Sequence, residues 1–123
     1  MLKAAALLLY TLPGPPVVYY GTEAGLSQRS PGGFEPSREP MPWSAKQDRD
    51  LLGYFQALGE ARRNHGWHDA TRRLAALDAG AGTLAYFLDT EAGTTLLAVN
   101  AGDGVRTLSV DASNLPADAT VSV

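Results

Sequence analysis

LLLYTLPGPPVVYYGTEAGL, residues 7 to 26, decides how the rest of this chain is read. It begins inside Lys3 to Thr11, a run of Ala and Leu, both strong helix formers. The run is apolar on every side, which predicts a buried helix rather than a surface one. Pro13 stops it, because proline has no N–H to give and its ring clashes with the preceding turn. PVVYY, Pro16 to Tyr20, follows at once. β-branched and aromatic residues without alternation predict a short strand covered on both faces, as in a parallel sheet. A helix running closely into such a strand is an αβ unit.

Working outward, Gly21 to Pro42 reads as a long loop with four glycines and four prolines. Loops of this length inside a compact domain are usually functional or disordered. A second helix is expected from Ser44, with Ser44 as N-cap and Gln47 completing a capping box. Asp48 and Asp50 stand near the positive end of its dipole, Arg62 and Arg63 near the negative end. Leu51, Phe55 and Leu58 recur at helical spacing, and Gly66 marks the stop.

From Arg72 the character changes. RRLAALD, TLAYFLD, TTLLAVN, VRTLSVD and ATVSV are short, β-prone and separated by Gly, Asp and Asn turns. That pattern predicts an antiparallel sheet or sandwich. Thr90-Glu91-Ala92-Gly93 and Ala101-Gly102-Asp103-Gly104 read as hairpin turns. The expected fold class is α+β, a helix–strand–helix piece over residues 1–66 and an all-β piece over 67–123.

Composition narrows the function classes. With 123 residues, 45% hydrophobic and 19% charged, the chain reads as soluble and globular. The net charge of -3, without a basic stretch, argues against a nucleic-acid or anionic-membrane partner. There is no cysteine, so a disulfide framework and a thiolate metal site are excluded. Met1-Leu2-Lys3 followed by an apolar run imitates a signal peptide, but no small-x-small cleavage site follows, which weighs toward a cytoplasmic rather than a secreted protein. The run is also shorter than the ~20 apolar residues a bilayer span needs.

Two segments resemble the α-amylase family of glycoside hydrolases (family 13). Residues 7 to 26 look like its seventh helix running into the eighth barrel strand, with the P-G-x-P-x-x-Y-Y-G-x-E-x-G signature. REPMPW, residues 38 to 43, resembles the R-x-P-M-x-W segment of the loop after that strand. The resemblance implies that residues 1–66 are the end of a (β/α)₈ barrel, a fold of ~250 residues. It implies that 67–123 is the C-terminal β-domain, cut short. It also places the nucleophilic Asp, the acid/base Glu and the stabilising Asp upstream of Met1. No catalytic residue is therefore expected here, and the chain alone is expected to be inactive. The implied substrate of the parent is an α-glucan or maltooligosaccharide; in this chain itself no cofactor and no metal site is expected.

Arg38 is the strongest substrate-binding candidate. The resemblance implies that it lines the sugar-donor side of the cleft, helped by an Asp three residues earlier, where this chain has Glu35. A guanidinium presents its donors in a fixed fork that suits vicinal hydroxyls, while the bland alternative is an ion pair with Glu35 or Glu39. Glu23 is read as holding the loop by hydrogen bonds rather than as catalytic. Trp43 and Phe34 could stack on sugars, though packing is the commoner role for Trp43. His65, His68 and Asp69 have a spacing that could hold a metal, but Gly66 interrupts the helix between them and a solvated helix end is the favoured reading.

Two functions from different classes follow. One is the C-terminal part of a retaining α-glucosidic glycosidase. The other is a stand-alone carbohydrate-binding or assembly module using Tyr86, Phe87 and Trp67, weakened because neighbours in a strand point to opposite faces. An incomplete sandwich would leave an unpaired edge, so a homodimer through exposed edges or element exchange is also expected.

Overall fold

The computed structural model describes residues 1–27, 39–111, 113 and 115. The architecture is α+β: helix α1 (Leu2–Thr11), helix α2 (Arg49–Asn64), and strands β1 (Thr71–Asp78), β2 (Thr83–Thr90) and β3 (Gly93–Asn100). The strands form one antiparallel sheet in the order β1-β2-β3. Among the described residues, short 3₁₀ turns at Thr22–Ala24 and Ser44–Lys46 lie between the helices.

α1 ends where proline requires, with Leu12 as its extended C-cap. Its burial is narrower than its composition predicts. Only Ala6 and Thr11 are buried, and Leu2 is exposed, because one face alone has a partner among the described residues. That face meets α2 in a cluster of Ala6, Leu51, Phe55 and Leu58, flanked by Leu7, Tyr10, Val18 and Tyr54. Tyr10 stands edge-on to Phe55 with ring centroids 5.9 Å apart. The helical repeat Leu51, Phe55, Leu58 is thus the buried stripe of α2.

The start of α2 differs from the capping box read in the sequence. The cap is Asp48, whose side chain accepts from the Leu51 N–H at 2.9 Å, while Ser44 adopts φ 62 and opens a separate 3₁₀ turn. The Asp48 N–H is bound to the Ala24 carbonyl at 3.0 Å, which ties the helix start to the loop. A carboxylate at this place also meets the positive end of the helix. The far end follows expectation. Gly66 takes φ 64, its N–H reaches the Arg63 carbonyl, and the Trp67 N–H reaches that of Arg62 at 3.1 Å. These two bonds are a Schellman motif, which needs a left-handed residue at Gly66.

PVVYY is not a strand. Residues 15 to 19 carry no ladder, Val17 and Tyr19 are largely exposed, and only Val18 packs on the helical cluster. A β-prone sequence becomes a strand only when a neighbour takes its N–H and C=O groups, and no described residue does so here.

In the sheet, β2 is central: it pairs over its whole length with β3, and from Thr83 to Asp89 with β1, where the register shifts between Leu74 and Ala76. Gly93 faces Thr90 across a two-residue turn, as read from the sequence. The turn expected at Ala101–Gly104 does not lead into another strand. Ala101 instead donates to the Gly82 carbonyl at 2.9 Å, Asn100 closes a local turn onto Gly102, and residues 105 to 111 form no ladder. ATVSV lies outside the described residues. The sheet joins the helices through Trp67, Ala70, Leu88 and Leu97, with Leu7 touching both clusters.

Candidate functional site

The corner between the two helices holds a groove. It encloses about 760 Å³ and is lined by Tyr10, Val18, Tyr20, Glu23, Met41 and residues of α2. Gln56, Glu60 and Arg63 face it at helical spacing, with Phe55 and Leu52 at its apolar floor. Tyr20 leans across the loop and donates its hydroxyl to the Glu39 carbonyl at 3.0 Å. Gly25 takes φ 79 at this corner, and a Cβ there would come within 2.9 Å of the Asp48 Cβ. Only glycine lets the loop run so close to the helix start.

The two substrate-binding residues read from the sequence, Arg38 and Glu35, lie outside the described residues, as does Phe34. Glu23 sits in the first 3₁₀ turn and lines the groove, but no hydrogen bond among the described residues reaches its carboxylate. The loop-holding role falls instead to backbone bonds, including Leu26 N–H to the Gly21 carbonyl at 2.9 Å. Trp43 is 72% exposed, so the described residues leave most of its ring uncovered. Gln56 and Glu60 were not singled out in the sequence, and Arg63 only as a charge at the helix end, although their i, i+4, i+7 spacing was a signal for a shared face.

The aromatic residues of the sheet are committed to structure. Trp67 is buried, and its ring N–H points at the Thr95 hydroxyl, 3.4 Å away. Tyr86 shares a short hydrogen bond with the Thr11 hydroxyl, while Phe87 lies buried beneath the Arg73 guanidinium, 4.7 Å from its centroid. The two neighbours point to opposite faces, as strand geometry requires. His65 stacks on Trp67, and His68 contacts Asp69 at 3.2 Å. Among the described residues no group of three His, Asp or Glu side chains converges as a metal site would require.

Two arginines do work that composition did not reveal. Arg62 is buried and donates to the carbonyls of Tyr10 at 2.5 Å, Leu12 at 3.0 Å and Gly14 at 2.5 Å. Arg72 donates to those of Thr11 at 2.7 Å, Ala70 at 2.5 Å and Trp67 at 2.9 Å. Together they cap the negative end of α1, whose last carbonyls have no helical partner. Arg62 therefore serves α1 more than the helix it belongs to. On the outer face, Asp89 accepts two bonds from Arg73 and one from Thr94. The Arg73 bonds first, then that of Thr94, hold the Asp89 carboxyl below the usual range.

Known proteins complete the picture. The chain is 32% identical over 114 residues to a cyclomaltodextrinase of Bacillus sp., covering 88% of this chain and 20% of that protein. It is 40% identical over 65 residues to an amylopullulanase of Thermoanaerobacter thermohydrosulfuricus, covering 52% of this chain and 4% of that protein. Over most of its length the chain resembles enzymes of the α-amylase family of glycoside hydrolases. A further relative is the amino acid transporter heavy chain SLC3A2 of Mus musculus, 49% identical over 45 residues, covering 36% of this chain and 8% of that protein. The chain spans about a fifth of the length of the cyclomaltodextrinase and less of the other two. No family model matches the chain, and no solved structure does. None of its helices is long and apolar enough to cross a membrane, among the described residues.

Proposed function

We propose that this chain is the C-terminal part of a retaining glycosidase that acts on α-glucosidic bonds in maltooligosaccharides. Residues 1–66 close the (β/α)₈ barrel and 67–123 belong to the β-sandwich beside it. The observation that carries the reading is likeness to a cyclomaltodextrinase over 88% of the chain. The unladdered segment at residues 15 to 19 supports it, with Val17 80% and Tyr19 65% exposed. An apolar, extended segment without neighbours is what a barrel strand becomes when the strands beside it are not present.

A retaining glycosidase needs two carboxyl groups ~5 Å apart, one as nucleophile and one as acid and then base. In this proposal both come from earlier barrel strands, and Arg38 with Glu35 contacts sugar hydroxyls on the donor side. The chain alone is then inactive, because nucleophile and acid are lost together. The test is maltotriose hydrolysis by the pure chain and by the product of the reading frame extended upstream. Activity only in the extended product supports the proposal; turnover by the chain itself overturns it.

A second reading is favoured by the transporter heavy chain, which is named for an assembly rather than for hydrolysis. In that reading the chain is an assembly module or a carbohydrate-binding module without catalysis. An extended product that stays inactive, yet co-purifies with another polypeptide, would select it.

A further inference from the structure

Among the described residues α1 and α2 pack broadly on each other, but neither lies broadly on the sheet. The joint between the two layers is narrow. It is the cluster of Trp67, Ala70, Leu88 and Leu97, with Leu7 of α1 and Ala61 of α2 against it. Residues 65 to 70 connect α2 to β1, and Gly66 stands among them at φ 64. An apolar contact has no direction, so a small apolar joint on a connector with glycine would leave the sheet free to pivot.

Directional bonds cross the same joint. Arg72 lies opposite Leu88, on the side of β1 that faces the helices. Its guanidinium donates to the Thr11 carbonyl, at the end of α1, at 2.7 Å. It also reaches back into the connector, to the carbonyls of Ala70 at 2.5 Å and Trp67 at 2.9 Å. Thr11 is itself fully buried. Its hydroxyl donates within α1 to the Leu7 and Leu8 carbonyls, each at 2.9 Å, which leaves it to accept from the Tyr86 hydroxyl of β2. Arg62 holds the carbonyls of Tyr10, Leu12 and Gly14 from the α2 side, so the end of α1 cannot follow a moving sheet.

We propose that Arg72 is a latch that turns this hinge into a fixed joint. It closes the connector and ties it to the end of α1, and so holds the sheet at one angle to the helices. A planar guanidinium suits the task, because each of its three nitrogens meets a carbonyl from a different place in the chain. With the latch open, the sheet pivots about Gly66. The inference uses only contacts between helices and sheet, so it is independent of the glycosidase reading.

Residual dipolar couplings of the backbone N–H groups, measured on the whole chain in a weakly aligned medium, report the angle. In the unsubstituted chain one alignment tensor is expected to fit α2 and the sheet together. In Arg72→Met, which keeps most of the apolar stem, the sheet is expected to need its own tensor with smaller couplings. The Asp69 and Ala70 amides are bonded inside the connector and should exchange with solvent roughly tenfold faster, the scale of one lost charge-assisted hydrogen bond. Arg73→Met, which loses only the outer-face pair with Asp89, is the control and should keep the common tensor. Should Arg72→Met not fold, Arg72→Lys is read in the same way, since an ammonium lacks the planar fork. Separate tensors in the unsubstituted chain would overturn the proposal. So would a common tensor with unchanged connector exchange in the Arg72 variant, or an equal loss in Arg73→Met.

Discussion

Replacing Arg62 with methionine removes three guanidinium bonds to the carbonyls of Tyr10, Leu12 and Gly14 while keeping most of the apolar stem. Hydrogen bonds from a charged donor each contribute about 1.5–3 kcal/mol. The sum is an upper bound, because Leu12 and Gly14 lie at the surface and water can replace the lost donor there. The Tyr10 carbonyl, at the helix end beside the helical cluster, recovers less. A loss of about 3–5 kcal/mol follows, a large part of the total stability of a domain this size. At about 4 °C per kcal/mol the Tm falls by roughly 12–20 °C. Urea and thermal unfolding of the chain by circular dichroism measure it. Arg62→Lys is expected to recover less than half, since an ammonium cannot span three carbonyls set for a planar fork. Arg63→Met, exposed and outside this network, is the control and should change stability by about 0.5 kcal/mol or less. A loss below about 1 kcal/mol for Arg62→Met would refute the claim that Arg62 anchors the end of α1.

Other outcomes follow from the same structure. Asp48→Ala should cost about 1 kcal/mol as a lost helix cap, while Ser44→Gly should be neutral or slightly stabilising because Ser44 already holds a positive φ; chemical denaturation separates them. Gly25→Ala should destabilise more than Gly14→Ala, about 2 against about 1 kcal/mol, since both have positive φ but only the Gly25 methyl would strike Asp48; melting curves decide. Phe87→Ala should cost about 3–5 kcal/mol in urea, as a buried aromatic does. The Asp89 carboxyl is held low in the folded state, so its contribution is present above the unfolded pKa and is lost as pH falls through the folded one. Asp89→Asn should therefore flatten the loss of Tm below pH ~4 without altering its trend between pH 6 and 8.

What the sequence determined by itself is whatever short-range chemistry decides. Proline after an Ala–Leu run ended α1, and Leu51, Phe55 and Leu58 at helical spacing became the buried stripe of α2. Gly66 supplied a left-handed stop, and three β-prone runs separated by turn residues became the sheet. The signature at residues 7 to 26 carried the family, which comparison with known proteins then bore out. The candidate site was legible only in part, since Arg38 and Glu35 were named from the resemblance and lie outside the described residues. Its groove was not legible, because Tyr10, Tyr20 and Gln56 meet only after the loop folds onto α2.

Tertiary structure alone decided the rest. Ser44 read as the cap and Asp48 only as a charge near the helix start, yet the fold ties the Asp48 N–H to the Ala24 carbonyl and makes Asp48 the cap. PVVYY had strand propensity but no neighbour, and propensity without a ladder does not make a strand. Arg62 looked like an ordinary charge at a helix end, yet the packing of α1 against α2 puts it under the carbonyls of another helix. Local sequence sets which backbone conformations are cheap, but a buried polar group is stable only where the fold brings its partner from far along the chain.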